Sequence, residues 1–322
     1  MKSLAALTYP RIINAALFAL ALSVVVSRAE DKPAIPALAP ADEFTKLRAE
    51  NEQLRRDLND LAEQFRRYRS VVGGNQVRGA VPAVRADRAI VIDAVSGDVL
   101  VEKNPDKRGP VASTQKLLTS LLIVESPNIE EYLTVEEPDI DCAPVKIGLK
   151  VGETYPRIHL LTALLVKSSN DIAQCLARDN AGTIEAFVDK MNKRAHELGM
   201  NDSHFMNPHG LPVENQYSTA RDMARLALAV DRNPVIRDIT KILRFHFIKA
   251  DGKTLVLENT NHVLRSSPWC DGMKTGFTEA AGHCLVCSGE KDGRRRIVVV
   301  LNDSAASVWT DAQALLEWAL RG

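Results

Sequence analysis

The sequence has no excess charge of either sign: its 322 residues carry 41 basic and 41 acidic side chains. A chain with no net charge offers no summed positive field to a polyanion, so nucleic acid is not an expected partner. A long apolar run is also lacking. Ile12 to Val26 is apolar apart from Asn14 and Ser23, but at about 15 residues it falls short of the ~20 that span a bilayer. The seven histidines are scattered and none forms a His-Glu-x-x-His pair, so a metal site is not expected. No cysteine precedes Cys142, which leaves none near the N-terminus for lipid attachment. The five cysteines are an odd number, so at least one thiol stays unpaired within a monomer. Cys284 and Cys287 have redox-motif spacing, but they sit in a strand-like run, where small buried apolar side chains are expected.

What is present divides the chain. Lys2 and Arg11, the apolar run and Ser27-Arg28-Ala29 read as an export signal over residues 1–29. The protein is therefore expected to be exported, periplasmic or otherwise extracytoplasmic, and membrane-tethered if the signal is retained. Residues 30–41 are a Pro/Ala-rich linker. Over residues 42–72, Phe44, Leu47, Asn51, Leu54, Leu58, Leu61, Phe65 and Tyr68 recur at alternating spacings of three and four, a heptad seam ending at Gly73-Gly74. Asn51 at an a position fits a parallel pair, so a homodimer through residues 42–70 is expected. Residues 73–87 form a second linker, and residues 88–322 the main domain.

In that domain, Ala89 to Ile92 and Val99 to Val101 flank a turn at Ser96-Gly97-Asp98 and predict a hairpin. Helices are predicted over Ser113–Glu125, Asp171–Arg178, Ile184–Leu198, Thr219–Val230 and Ser307–Leu320. Strands are predicted over Cys284–Ser288 and Arg296–Leu301. Strands near both ends with helices between predict an α/β (α+β) domain with an antiparallel sheet packed against helices.

Three short strings carry chemistry. In Ser113-Thr114-Gln115-Lys116, serine and lysine three apart share a helix face. The lysine can act as base towards the serine hydroxyl if burial or a second cation such as Lys274 lowers its pKa. In Ser168-Ser169-Asn170, a serine could relay a proton and an asparagine could grip a substrate amide. Taken alone, that triplet reads equally as a helix cap. In Lys274-Thr275-Gly276, lysine and threonine at a strand edge could bind a carboxylate, and Gly276 would admit close backbone approach. The Phe277 and Ser113 backbone N–H groups could then form an oxyanion hole. In combination these strings are the known signature of penicillin-binding proteins and class A β-lactamases.

With Lys167-Ser168-Ser169-Asn170-Asp171, Asn207-Pro208-His209-Gly210-Leu211 and Asp271-Gly272-Met273-Lys274-Thr275-Gly276-Phe277-Thr278, the chain resembles the low-molecular-mass D-alanyl-D-alanine carboxypeptidases from about Ala89 to Leu320. The resemblance implies a β-lactamase/transpeptidase-like sheet flanked by helices, here preceded by a coiled-coil helix. It implies peptidoglycan stem peptides as substrates, β-lactams as acylating inhibitors and no cofactor. The roles it implies are Ser113 nucleophile, Lys116 base, Ser168 proton relay, Asn170 substrate amide, and Lys274 and Thr275 substrate carboxylate. Some relatives carry arginine where this chain has Thr260, so here the carboxylate would rest on Lys274 and Thr275. Three other readings remain: an endopeptidase on peptidoglycan crosslinks using the same residues, a β-lactamase, and an inactive coiled-coil scaffold. No Glu-x-x-Leu-Asn lies between Asn170 and Lys274 to supply the deacylating glutamate of a class A β-lactamase, and all five key side chains are present, unlike a dead scaffold.

Overall fold

The computed structural model describes residues 79–321 apart from Ala143, together with Glu50, Gln53 and Asp57. The export signal, the first linker and every seam residue of the expected coiled coil lie outside the described residues. Glu50, Gln53 and Asp57 are helical, and belong to a unit ending at Arg67 that is separate from the one described below.

Along the chain run β1 (Arg88–Asp93), β2 (Val99–Lys103), a 3-10 turn (Ala112–Gln115), α1 (Lys116–Glu125), β3 (Tyr132–Thr134), α2 (Glu137–Ile140), β4 (Thr154–Pro156), α3 (Arg157–Lys167) and α4 (Asn170–Ala181). Then follow α5 (Ile184–Glu197), α6 (Ala220–Asp231), α7 (Pro234–Thr240), β5 (Arg244–Ile248), β6 (Thr254–Glu258), α8 (Val263–Ser266), β7 (Cys270–Thr278), β8 (Gly282–Lys291), β9 (Arg294–Asp303) and α9 (Val308–Leu320). Five strands form one antiparallel sheet in the order β2-β1-β9-β8-β7, which brings N-terminal and C-terminal strands together as expected.

Strand alternation sorts the sheet's side chains into two layers. Ile90, Ile92, Val286, Ile297, Val299 and Leu301 face the larger core with α1 and α3–α6. Ala89, Val91, Leu285, Cys287, Val298 and Val300 face a second core sealed by α9 through Val308, Leu315 and Leu316. β1 is buried on both faces, which is why its sequence is a near-continuous β-branched run rather than an alternating one. Residues 79–87 adopt no helix or strand, yet they dock on α9: the Asp311 carboxylate accepts hydrogen bonds from the Arg85 and Ala86 N–H groups at 2.5 and 3.2 Å.

The expected hairpin and terminal strands are present, and the strands run longer than their apolar segments. The expected helix from Ser113 begins instead as the 3-10 turn, with Ala112 in the left-handed region at φ 49°. The sequence reading does not include α3, the short helices α2, α7 and α8, the β3–β4 ribbon or the β5–β6 hairpin.

Candidate active site

Ser113 enters the site from the 3-10 turn that leads into α1, and Lys116 is the first residue of α1. Lys116 Nζ donates to Ser113 Oγ at 2.8 Å, to Asn170 Oδ1 at 2.8 Å and to the His209 carbonyl at 2.6 Å. Three oxygens around Nζ fix its position: a neutral amine can donate to two of them and turn its lone pair to the Ser113 hydroxyl. The side chain is fully buried, and burial first, then the like charge of Lys274, pushes its pKa well below the ordinary lysine range. A lysine in that state can hold the proton of Ser113 and return it.

Lys274, Thr275, Gly276 and Phe277 lie on β7, the edge strand of the sheet. Gly276 is required by packing. A Cβ there would stand 2.8 Å from the Ser113 nitrogen, 3.0 Å from the Ala112 Cβ and 3.0 Å from the Thr114 nitrogen. Thr275 faces the cleft, its Oγ1 at 2.6 Å from that of Thr260. Lys274 sits behind the cleft wall, only 1% exposed, and donates to the Thr275 carbonyl at 2.9 Å. Burial lowers its pKa to about 7. Its charge reaches Lys116 as a field.

Ser168 ends α3 in the left-handed conformation at φ 69°, and its side chain lines the cleft with Asn170. The capping alternative for this triplet is not what the structure contains: Ser169 precedes α4 without a side-chain cap bond. Asn170 and Asp171 instead hold the loop that overhangs the site. Asn170 Nδ2 donates to the Pro144 carbonyl at 2.8 Å and its backbone N–H to the Val145 carbonyl at 2.7 Å. The Asp171 carboxylate accepts from the Ile147, Gly148 and Leu149 N–H groups at 3.3, 2.9 and 3.2 Å. The Asn170 amide is thus oriented from both ends, by Lys116 and by Pro144.

These elements surround a cleft of about 380 Å³, walled by Ser113, Ser168 and Asn170 on one side and Thr275 to Phe277 on the other, with Leu211, His283 and Trp309 beyond. All eight residues singled out from sequence converge here, with Lys116 and Lys274 buried behind the surface.

The loop Asn207–Leu211 had no role assigned from sequence, and it completes the base. Its His209 carbonyl accepts from both Lys116 and Ser113 Oγ, the latter at 3.3 Å. Asn207 Oδ1 accepts from the Gly210 and His209 N–H groups at 2.7 and 3.2 Å, tying the turn shut. Gly210 has φ 92°, and a Cβ on it would overlap the Ala112 carbonyl. The His209 ring is a poor proton acceptor, its pKa lowered to about 4 by burial and the Lys116 charge. In the sequence this loop shows as turn composition, Asn-Pro-His-Gly, and as one of the strings that carry the family resemblance, but a carbonyl acceptor leaves no mark on residue type.

Comparison with known proteins follows the same residues. Residues 75–305 match the sequence model of a family described as D-alanyl-D-alanine carboxypeptidase. A D-alanyl-D-alanine carboxypeptidase of Bacillus subtilis, DacF, is 34% identical over 227 residues, covering 69% of this chain and 58% of the relative. A D-alanyl-D-alanine endopeptidase of Pseudomonas aeruginosa is 36% identical over 205 residues, covering 62% of this chain and 65% of the relative. The chain therefore spans less than two thirds of the length of either protein. Among solved structures, the D-alanyl-D-alanine carboxypeptidase DacD of Francisella tularensis superposes with a TM-score of 0.71 at 30% identity, covering 76% of this chain and 72% of that one.

Proposed function

The chain belongs to the D-alanyl-D-alanine carboxypeptidase family of serine peptidases, and from that premise we propose that it removes the terminal D-alanine from peptidoglycan stem peptides through an acyl-enzyme on Ser113. The observation that carries the reading is the 2.8 Å bond between Ser113 Oγ and a fully buried Lys116 whose charge is disfavoured.

Neutral Lys116 takes the Ser113 proton as Oγ attacks the carbonyl between the two D-alanines. The Ser113 and Phe277 N–H groups receive the developing oxyanion. The proton passes to the departing amine, with Ser168 on the cleft wall as the relay, and D-alanine leaves. Water then cleaves the ester, with Lys116 again the base. Thr275, backed by Thr260 and the field of Lys274, receives the substrate carboxylate, and the Asn170 amide faces the acyl side. A β-lactam carbonyl presents the same electrophile, so penicillins acylate Ser113.

The test is release of D-alanine from a model pentapeptide ending in D-alanyl-D-alanine, with wild type and Ser113→Ala side by side. Release by wild type alone is expected; none from wild type overturns the reading. Endopeptidase activity on crosslinked dimers uses the same residues, and the Pseudomonas relative bears that name. Comparing monomer and dimer substrates separates the two.

We propose further that residues 1–29 direct export and that residues 42–70 pair two copies of the chain. Among the described residues no helix is long and apolar enough to cross a membrane.

A further inference from the structure

Two of the five cysteines meet across the sheet. Cys270 opens β7 and Cys287 lies on β8, with Cys270 opposite Gly289, Met273 opposite Cys287 and a bulge between Cys270 and Gly272. Both side chains point into the core sealed by α9, and their sulfurs are 3.3 Å apart. A disulfide has an S–S length of about 2.05 Å, so closing the bond requires an approach of only about 1.3 Å. The two residues are a diagonal pair on neighbouring strands across that bulge, so side-chain rotation with a small shift at the bulge would supply it.

The other three thiols are placed apart from this pair. Cys284, three residues before Cys287, projects to the opposite face of β8 and into the larger core, so the apparent redox spacing is no redox site. Cys175 is buried in α4, and Cys142 is half-buried in the loop after α2. The odd count thus resolves into one facing pair and three isolated thiols.

We propose that Cys270 and Cys287 form an intramolecular disulfide when the chain folds in an oxidising compartment, stapling β7 to β8. The two thiols lose two protons and two electrons as the S–S bond forms. A disulfide oxidant, such as a disulfide-donating oxidoreductase or oxidised glutathione, takes them up and is reduced to two thiols. Cys270 is 9% exposed and Cys287 fully buried, so the exchange belongs to the folding chain, before α9 covers this face. Once formed, the bond is shielded from small reductants by the same burial. The staple sits at the start of the strand that carries Lys274 to Phe277, and it acts on strand position without touching substrate.

The experiment refolds the full chain from denaturant with oxidised and reduced glutathione, alkylates it under denaturing conditions, and maps the digest without reductant. Linked Cys270 and Cys287 peptides with Cys142, Cys175 and Cys284 alkylated are expected. Five alkylated cysteines, or linkage of any other pair, overturn the proposal. A second readout is thermal unfolding with and without reductant during refolding. A bond between residues 17 apart is expected to raise Tm by roughly 5–10 °C. Cys270→Ala and Cys287→Ala should each abolish that difference, and a difference that persists in either variant counts against the staple. The outcome is independent of the acyl-transfer reading, because penicillin acylation of Ser113 is measured separately on the same samples.

Discussion

Gly276 lies so close to Ser113 that a single added carbon would stand 2.8 Å from the serine nitrogen. The contact joins the two halves of the site, the helix start that carries the proposed nucleophile and the strand that carries the proposed second oxyanion donor. Gly276→Ala must separate them by several tenths of an ångström, because the opposing atoms are two backbone nitrogens and the Ala112 Cβ, which cannot swing aside. Losing one oxyanion donor costs about 10²–10³ in rate. Acylation by a fluorescent penicillin is expected to slow at least ~10²-fold while the far-ultraviolet spectrum is retained. Acylation at the wild-type rate would show that the strand and the helix start do not act as one unit.

Ser113→Ala should lose both penicillin labelling and D-alanine release. Lys116→Ala should retain the nucleophile but slow acylation at least ~10²-fold, the usual scale for a positioned base. Gel labelling and a coupled D-alanine assay report both. Labelling that survives in Ser113→Ala would place the nucleophile elsewhere.

The pH profile separates the two lysines. Lys116 accepts a proton only when uncharged, so acylation is expected to rise with pH through its lowered pKa and to level off above it. Lys274→Met removes the neighbouring charge, which raises the Lys116 pKa and moves the rising limb to higher pH. Stopped-flow acylation from pH 4 to 9 measures both limbs, and a limb unmoved by the substitution would refute the coupling.

Stability should depend on the same residues with a definite sign. Lys274 has a pKa of about 7 when folded, against an ordinary value of 10.5. Between those values the unfolded chain holds a proton that the folded chain has released, so stability increases as pH rises from about 7 to about 10. One such proton tilts stability by up to about 1.4 kcal/mol per pH unit. Thermal unfolding should show Tm climbing over that window, less steeply in Lys274→Met. Equal slopes in the two proteins would mean that the buried ammonium is not the cause.

Asn207→Ala removes the acceptor that closes the turn under Lys116. Two N–H groups lose their partner, at a cost of about 1–3 kcal/mol each if left unsatisfied. A Tm drop of several degrees is expected, with acylation slowed through a displaced His209 carbonyl. Calorimetry and penicillin kinetics on the same sample check it. A fall in Tm with unchanged kinetics would assign Asn207 to structure alone.

The heptad seam predicts a dimer. Sedimentation of the chain lacking residues 1–29 should give a dimer at micromolar concentration, and removal of residues 30–75 should give a monomer. Two monomers would rule out self-association through the seam.

The side chains proposed for catalysis are legible in the sequence because the chemistry needs particular residue types at fixed spacing. Ser113 and Lys116 share one helical face, and Lys274 to Phe277 follow one strand. The uses that depend on backbone were not legible. The His209 carbonyl holds Lys116 through an atom every residue possesses. Asn170 was read as a grip on substrate, and its amide is also spent on Lys116 and Pro144, a pairing that only the fold brings about. Helix α3 leaves no clear periodic signal because its apolar run is nearly continuous, broken only by His159 and Thr162. The β5–β6 hairpin is faint in the sequence because Arg244 to Ile248 alternates around polar residues on a half-exposed ribbon.

β7 is the last strand of its sheet, so along one side its N–H and C=O groups have no neighbouring strand. Such an edge is ordinarily a hazard, since any extended chain can add to it. Here the turn at Ala112–Gln115 crowds that margin at Gly276, and the cleft opens beside Thr275 to Phe277. A stem peptide laid there would become a sixth strand, recognised through its main chain before any of its side chains is read. The sheet in effect stops one strand short, and on the proposed function a stem peptide would complete it for the duration of each turnover.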